Sequence, residues 1–288
     1  VILARKTVMY VREIRPEVVF CQNPSVVLAL LLCLLKNIFG YKLIVDRHSN
    51  FKFSSRDSWS PIWLIFHRIS DFSLKKADIT IVTNQYLKEF VGSIGGCAYV
   101  LPDKIPQLLD GNFYPEIDKK KTITFVSTFS DDEPIFEVVK AASILSDEYI
   151  IYITGSHKKF KKIDQLKAQL PNNVVLTGFL TESDYQSRLE SSDAMMVITT
   201  LEYTLTCGAY EAVALGKPMI LGNTKTIMEY FNKGAVYTSL EPSDIAENIN
   251  RLFGSLELFQ RQVVDLKNEL ELDWKSNFHD ISKKLAQL

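Results

Sequence analysis

The chain is predicted to fold as an α/β protein of two parallel-sheet units, and three observations predict it. Short β-branched runs alternate with segments of helical length along the whole sequence, the pattern of parallel strands joined by crossover helices. At 288 residues, nearly half of them apolar, the chain exceeds what one hydrophobic core usually serves. A single break, Pro102 to Lys121, carries three prolines, Gly111 and a lysine run without periodicity, and reads as an interdomain linker.

Taken in order, Val1–Ile14 reads as the middle of an amphipathic helix. It lacks an initiator Met, so an N-terminal part of the parent fold is expected to be missing. The first strand is expected at Glu17–Cys21. The apolar run Val26–Leu35 is too short to span a bilayer and is followed by Lys36. Two readings remain for it: a buried helix between two strands, or peripheral attachment to a membrane surface, since basic residues lie nearby. Strands at Lys42–Asp46, Asp78–Thr83 and Ala98–Leu101 complete a first, incomplete unit, residues 1–110. Six more, at Thr122–Val126, Tyr149–Thr154, Val174–Leu176, Ala194–Ile198, Pro218–Leu221 and Ala235–Tyr237, make a second unit, residues 118–270. The chain closes on a helix, Glu269–Leu288, with Leu272, Trp274, Phe278, Ile281 and Leu285 along one face.

Net charge is −1, so no broad nucleic-acid footprint is expected. Cys21, Cys33, Cys97 and Cys207 have no paired spacing and read as thiols of a reducing compartment. No signal peptide is recognised, and the expected location is the cytoplasm, with the inner face of the membrane as the alternative. Neither a histidine pair at helical spacing nor paired carboxylates on a strand point to a metal.

In open parallel sheets ligands sit beyond the carboxyl ends of the strands. Four polar loops leave strand ends there: Asp46–Phe51, Ser127–Pro134, Gly155–Lys159 and Thr199–Thr206. The last runs into Thr204-Leu-Thr-Cys-Gly-Ala-Tyr-Glu-Ala-Val-Ala-Leu-Gly-Lys-Pro-Met-Ile220, the most informative stretch of the chain. It reads as a turn through Thr206 and Cys207, a helix opening on Gly208 and Ala209, and a stop at Gly216. A helix start offers unpaired N–H groups and a positive dipole end to an anion. Gly208 would let backbone approach phosphate oxygens. Glu211, one turn further in, can accept two hydrogen bonds from the vicinal hydroxyls of a ribose.

These residues, together with "VDRHSNF", "FVSTFSDDEPIFEVVKAA" and "VVLTGFLTESDYQSRLESSDAMMVIT", make the chain resemble a GT-B glycosyltransferase of the retaining bacterial polysaccharide group. The resemblance implies two Rossmann-like domains, the first incomplete here, with a final helix (271–288) crossing back to the first domain. It implies a nucleoside-diphosphate sugar as donor, a saccharide or lipid-linked hydroxyl acceptor, and no cofactor. Glu211 matches the acid on the donor ribose. Gly208 and Ala209 match the helix start at the pyrophosphate, flanked by Thr206 and Cys207. Phe179, within Gly178-Phe-Leu180, matches the turn bordering the nucleobase. His48 matches a histidine aimed at the transferred sugar and is the expected catalytic residue, an imidazole near its switching range. Thr128 and Lys158, in the loops after the first two strands of the second unit, complete the expected donor contacts, with Lys159 or Lys217 as alternative cations. The family often has two glutamates with seven residues between them; here eight separate Glu202 from Glu211.

Other readings stay beside these. Asp131, Asp132 and Glu133 are expected to cap the helix beginning near Pro134, with Asp132 as the cap; contact with donor-sugar hydroxyls is the alternative. Asp184, Tyr185 and Asp193 read as structural, and Glu229 as half of a surface ion pair. A non-catalytic nucleotide-sugar-binding homologue is the alternative to an enzyme, and an epimerase on the same fold is a third reading.

Overall fold

The computed structural model of the chain describes residues 2–22, 25–48, 52–108 and 120–287. The chain divides into two compact units, Val1–Asp103 with Asp273–Leu288, and Lys104–Leu272. Most of the expected linker, residues 109–119, lies outside the described residues.

The first unit holds a four-stranded parallel sheet in the order β1 (Val18–Gln22), β2 (Lys42–Arg47), β3 (Ile79–Val82), β4 (Ala98–Val100). Helices α1 (Ile2–Ile14), α2 (Val26–Phe39), α3 (Pro61–Lys76) and α4 (Gln85–Ser93) belong to the same unit. One core lies between helices and sheet, where Ala29, Leu32 and Leu74 meet Leu43, Val45 and Val82. On the other face Ile44, Ile79 and Ile81 are buried with Leu285 packed against them. The Val26–Leu35 run is a helix between two strands, as read. It is not buried along its length: Val26, Ala29, Leu32 and Cys33 face the core, while Val27, Leu34 and Ile38 face solvent. Fourteen residues at 3.6 per turn present every side of a helix, and one sheet covers only one of them.

The second unit is a six-stranded parallel sheet in the order β10-β9-β8-β5-β6-β7, with β5 (Lys121–Phe125), β6 (Tyr149–Thr154), β7 (Val174–Gly178), β8 (Ala194–Val197), β9 (Met219–Gly222) and β10 (Ala235–Thr238). The chain enters at the middle, builds outward to β7, returns to β8 and builds outward again. Strand order therefore reverses between β5 and β8, and the crevice for a ligand opens at their carboxyl ends. Side chains alternate along the buried strands: Met196 and Ile220 face the core beneath α5 (Ile135–Ala142) and α10 (Pro242–Phe253). Met195, Met219 and Leu221 face the core beneath α8 (Cys207–Leu215) and α9 (Lys225–Tyr230). Burial on both faces explains why these strands read as unbroken apolar runs.

The last helix, α11 (Leu256–Leu285), is longer than its sequence pattern indicated. Its Val263, Leu266 and Leu270 join the second unit's core and Ile281 is buried in the first unit. Of the predicted stripe, Leu272 and Phe278 are exposed. Trp274 donates its indole N–H to the Pro102 carbonyl at 3.1 Å and stacks on Phe278. No helix among the described residues is long and apolar enough to cross a membrane.

Candidate functional site

Strand β5 ends at Phe125, β8 at Val197, and the loops beyond them, 126–134 and 198–206, flank the point where strand order reverses. Thr199 donates its hydroxyl to Asp132 Oδ2 at 2.6 Å, and the Thr200 N–H donates to the Asp132 carbonyl at 2.9 Å, tying the two loops together. Ser130 also donates to Asp132, at 2.5 Å. This corrects the reading of Asp132 as a helix cap. Helix α5 begins at Ile135 behind Pro134 and has no side-chain cap.

Glu133 does not cap α5 either. Its carboxylate folds back over the loop and accepts from the hydroxyls of Ser127 (2.7 Å) and Thr128 (3.1 Å) and from the N–H groups of Thr128 (3.0 Å) and Ser130 (3.1 Å). Between those two residues Phe129 takes a left-handed φ of 60°. An aromatic residue there is strained, and the buried ring, edge-on to Phe160, offsets the cost. Successive N–H groups around a left-handed residue form an anion-binding concavity, and here the anion is the chain's own carboxylate. Thr128 is exposed and placed in the predicted loop, engaged with Glu133 rather than open to a ligand.

Helix α8 opens at Cys207 behind Thr206, whose side chain makes no capping bond. Thr206 Oγ1 is buried with no hydrogen-bond partner. Cys207 is exposed, and Gly208 and Ala209 are buried. Packing alone already calls for glycine at 208. A Cβ there would lie 2.9 Å from Val126 Cγ1 and 3.1 Å from Val197 Cγ2. Glycine lets the helix start settle onto the ends of β5 and β8, the close helix–strand packing of dinucleotide folds. Gly155, after β6, is set by a similar approach: a Cβ would meet the Ser127 carbonyl oxygen at 2.2 Å, and its φ is 101°.

Glu211 lies one turn into α8, half-buried. Its Oε2 accepts from the Tyr185 hydroxyl at 2.6 Å, and Oε1 accepts no hydrogen bond among the described residues. Burial raises the Glu211 pKa above its ordinary 4.5, and the Tyr185 bond opposes that rise. Tyr185 sits on α7 (Glu182–Glu190), and its own pKa is pushed far up by burial and by the Glu211 charge. Its hydroxyl links α7 to the Glu211 carboxylate. Its neighbours Asp184, hydrogen-bonded to the Thr181 cap, and Asp193, accepting from Thr122 at the amino end of β5, are structural as expected.

Residues 112–262 match the family of glycosyl transferases group 1, more than half of the chain. The chain belongs to this family. No curated protein matches it in sequence. Among solved structures it is similar to sucrose-phosphate synthase of Thermosynechococcus elongatus (14% identity over 99% of this chain and 77% of that one, TM-score 0.76). It is similar also to Anabaena HepE in complex with UDP-glucose (14%, 99% and 82%, TM-score 0.78). A third is a variant of S. aureus TarM in complex with Fondaparinux, alpha-GlcNAc-glycerol and UDP (15%, 97% and 57%, TM-score 0.73). At these identities the likeness is one of fold: two Rossmann-like domains, GT-B.

The remaining expected residues of this glycosyltransferase fall as follows. Glu202, the displaced partner of Glu211, accepts from the N–H groups of Lys225 and Thr226 at 3.3 and 3.2 Å and so closes the start of α9. Phe179 is 81% exposed just past β7. Lys158 and Lys159 are exposed in the single turn after β6, at the ligand end of the sheet. Lys217 precedes β9, at the opposite end, and donates to the Glu190 carbonyl at 2.7 Å; it is removed from the candidate cations. Glu229 pairs with Lys225 on the surface of α9.

His48, in the first unit, follows β2 as expected. Its Nε2 lies 2.6 Å from Asp46 Oδ1 and its Nδ1 2.9 Å from Asp103 Oδ1. The two carboxylates beside the ring, Asp103 and Asp46, raise its pKa to about 10, although neither contact has hydrogen-bond geometry. The expectation of an imidazole near its switching range is therefore corrected: the ring is an imidazolium at neutral pH. The sequence could not show this, because Asp103 lies 55 positions further along.

Proposed function

We propose that the chain transfers a hexosyl group from a nucleoside-diphosphate sugar to a hydroxyl of a saccharide or lipid-linked acceptor, in the synthesis of a surface polysaccharide or glycolipid at the membrane surface. The carrying observation is the half-buried Glu211 carboxylate, held by Tyr185 on one oxygen and unclaimed on the other, one turn inside α8 at the strand-order reversal. On this reading Glu211 accepts the ribose hydroxyls. The first turn of α8, from Thr206 to Ala209, faces the diphosphate, and Thr206 Oγ1 gains the partner it lacks. Phe179 borders the base. The complexes of HepE with UDP-glucose and of TarM with UDP support a uridine nucleotide.

As the glycosidic bond breaks, charge grows on the departing diphosphate, and the helix start stabilises it most in the transition state. With helix dipole and lysine bearing that charge, transfer proceeds without a metal ion and, by the family resemblance, with retention of configuration. His48 is not a proton shuttle on this reading, since a carboxylate lies within 2.9 Å of each ring nitrogen and holds the ring charged.

The test is calorimetric titration with UDP. Glu211→Ala is expected to bind at least about tenfold more weakly, about 1.4 kcal/mol, with circular dichroism unchanged; equal affinities would remove the assignment. Glu133 filling the loop after β5 favours a second reading, a nucleotide-sugar-binding homologue without transfer. UDP binding without release of UDP from UDP-glucose, over a panel of saccharide and lipid-linked acceptors, would select it.

A further inference from the structure

Helix α3 buries one face, with His67, Ser70, Ser73 and Leu74 toward the sheet. A helix covering one side of a sheet ordinarily carries polar and acidic residues on the other. Here the exposed positions include large apolar side chains. Trp59, just before the helix, is 94% exposed, Ile62 74%, Ile65 60% and Phe72 39%. At 100° per residue, Ile65 and Phe72 lie on one line of that face. Exposed Arg68 lies between Ile65 and Phe72 in sequence, and exposed Lys75 and Lys76 close the helix. Between Lys52 and Lys76 the acids are Asp57 and Asp71, and Asp71 is held by Arg56 at 3.0 and 2.6 Å.

The net charge of −1 hides an asymmetry. The first unit holds 16 Lys and Arg against 10 Asp and Glu, and the second holds 17 against 24. The exposed apolar side chains therefore lie on the basic unit. Basic residues bordering apolar ones, with a tryptophan at the edge, fit an anionic lipid surface, where the rings and aliphatic groups enter the headgroup boundary and the cations meet phosphate. A second copy of this unit, net-positive itself, lacks that match of charge. Lys36, next to the apolar run that first suggested membrane contact, is instead tied to Asp78 at 2.7 Å.

We propose that the outward face of α3, from Trp59 to Lys76, docks the protein on anionic phospholipid bilayers. Its role rests on the membrane-associated acceptor proposed above; its observations are independent of the donor site. Co-sedimentation of the full chain with vesicles tests it, using phosphatidylcholine alone and an equal mixture with phosphatidylglycerol. Wild type is expected to partition at least tenfold more strongly onto the anionic vesicles, and added salt to reduce that binding. Trp59→Ser with Ile62→Ser and Ile65→Ser, and separately Arg68→Glu with Lys75→Glu and Lys76→Glu, are each expected to lose it tenfold or more. All six positions are exposed, so thermal unfolding and UDP titration of these variants should match wild type. Wild type failing to bind anionic vesicles overturns the proposal, as does full binding by either triple variant. A self-association abolished by the serine variant, without vesicle binding, would assign the face to a second copy. If vesicle binding behaves as expected and Glu211→Ala leaves UDP affinity unchanged, the donor reading falls and this one stands.

Discussion

Tyr185→Phe removes one oxygen and leaves the ring, so it isolates what the hydroxyl does for Glu211. The bond is short, 2.6 Å, and its acceptor is a half-buried carboxylate. A hydrogen bond to a charged group contributes about 1.5–3 kcal/mol, enough to favour the ionised form clearly. The sign follows from which form it stabilises. Tyr185 donates to the ionised carboxylate and lowers the Glu211 pKa against the burial that raises it. Without the hydroxyl, burial acts unopposed and the pKa climbs further above 4.5. If the ionised carboxylate grips the ribose, UDP affinity falls as pH drops through the Glu211 pKa. In Tyr185→Phe that fall should begin at higher pH, with affinity at pH well above it little changed. Glu211→Gln should bind weakly and show no such step. Calorimetric titration of UDP across the acid range, with wild type and both variants, reads all three curves. Superimposable wild-type and Tyr185→Phe profiles would refute the coupling; an acid step retained in Glu211→Gln would show that another group carries it.

Two further outcomes follow from the packing and the charges. Gly208→Ala places a methyl group within 2.9 Å of Val126 and 3.1 Å of Val197, an overpacking expected to cost about 1–3 kcal/mol. Thermal unfolding should show the loss and Val126→Ala in the same chain should return part of it, whereas an unchanged midpoint would mean that α8 can shift freely. His48 has a folded-state pKa raised from 6.5 to about 10. Its stabilising contribution is thus complete below pH 6.5 and is lost as pH rises toward 10. Urea unfolding should show stability falling over that window in wild type and a flatter profile in His48→Gln, and a ring that titrates near neutral pH by NMR would contradict the ion pairs.

The architecture was legible because parallel strands covered on both faces leave unbroken apolar runs, as Ala194–Val197 and Met219–Gly222 do. Punctuation by glycine at 216 and proline at 134 set the helix ends near where they fall. Three features were not legible, for different reasons. Glu133 and Asp132 follow helix-start grammar, but the strain at Phe129 turns the loop's N–H groups onto Glu133 instead. The packing that requires glycine at 208 involves Val126, just past β5 and 82 residues before it, and Val197, the end of β8 and 11 before it, neighbours that local sequence does not show. Tyr185 reaches Glu211 across 26 residues, only because α7 lies beside α8 once β8 has been inserted between them in sequence. A tyrosine on an otherwise polar helix was the available sign.

These same departures constrain how a diphosphate can be held in the second unit. The loop after β5 offers donors in an anion-binding arrangement, but Glu133 already occupies them. Lys217 is at the wrong end of the sheet. Among the described residues the ligand end offers the first turn of α8, the exposed Lys158 and Lys159 after β6, and Lys225 after β9. A helix start supplies about half an elementary charge, well short of the charge on a diphosphate, so on the proposed reading the lysines carry a large share. A mobile ammonium on an exposed turn is screened by water until a ligand arrives. On that reading the arrangement favours ligands that bring their own anchoring through base and ribose, with Phe179 and Glu211 setting the position and the phosphate end held more loosely. It follows that affinity should depend more on the nucleoside than on the number of phosphates, which inverts the order expected of a site built around a filled phosphate cradle.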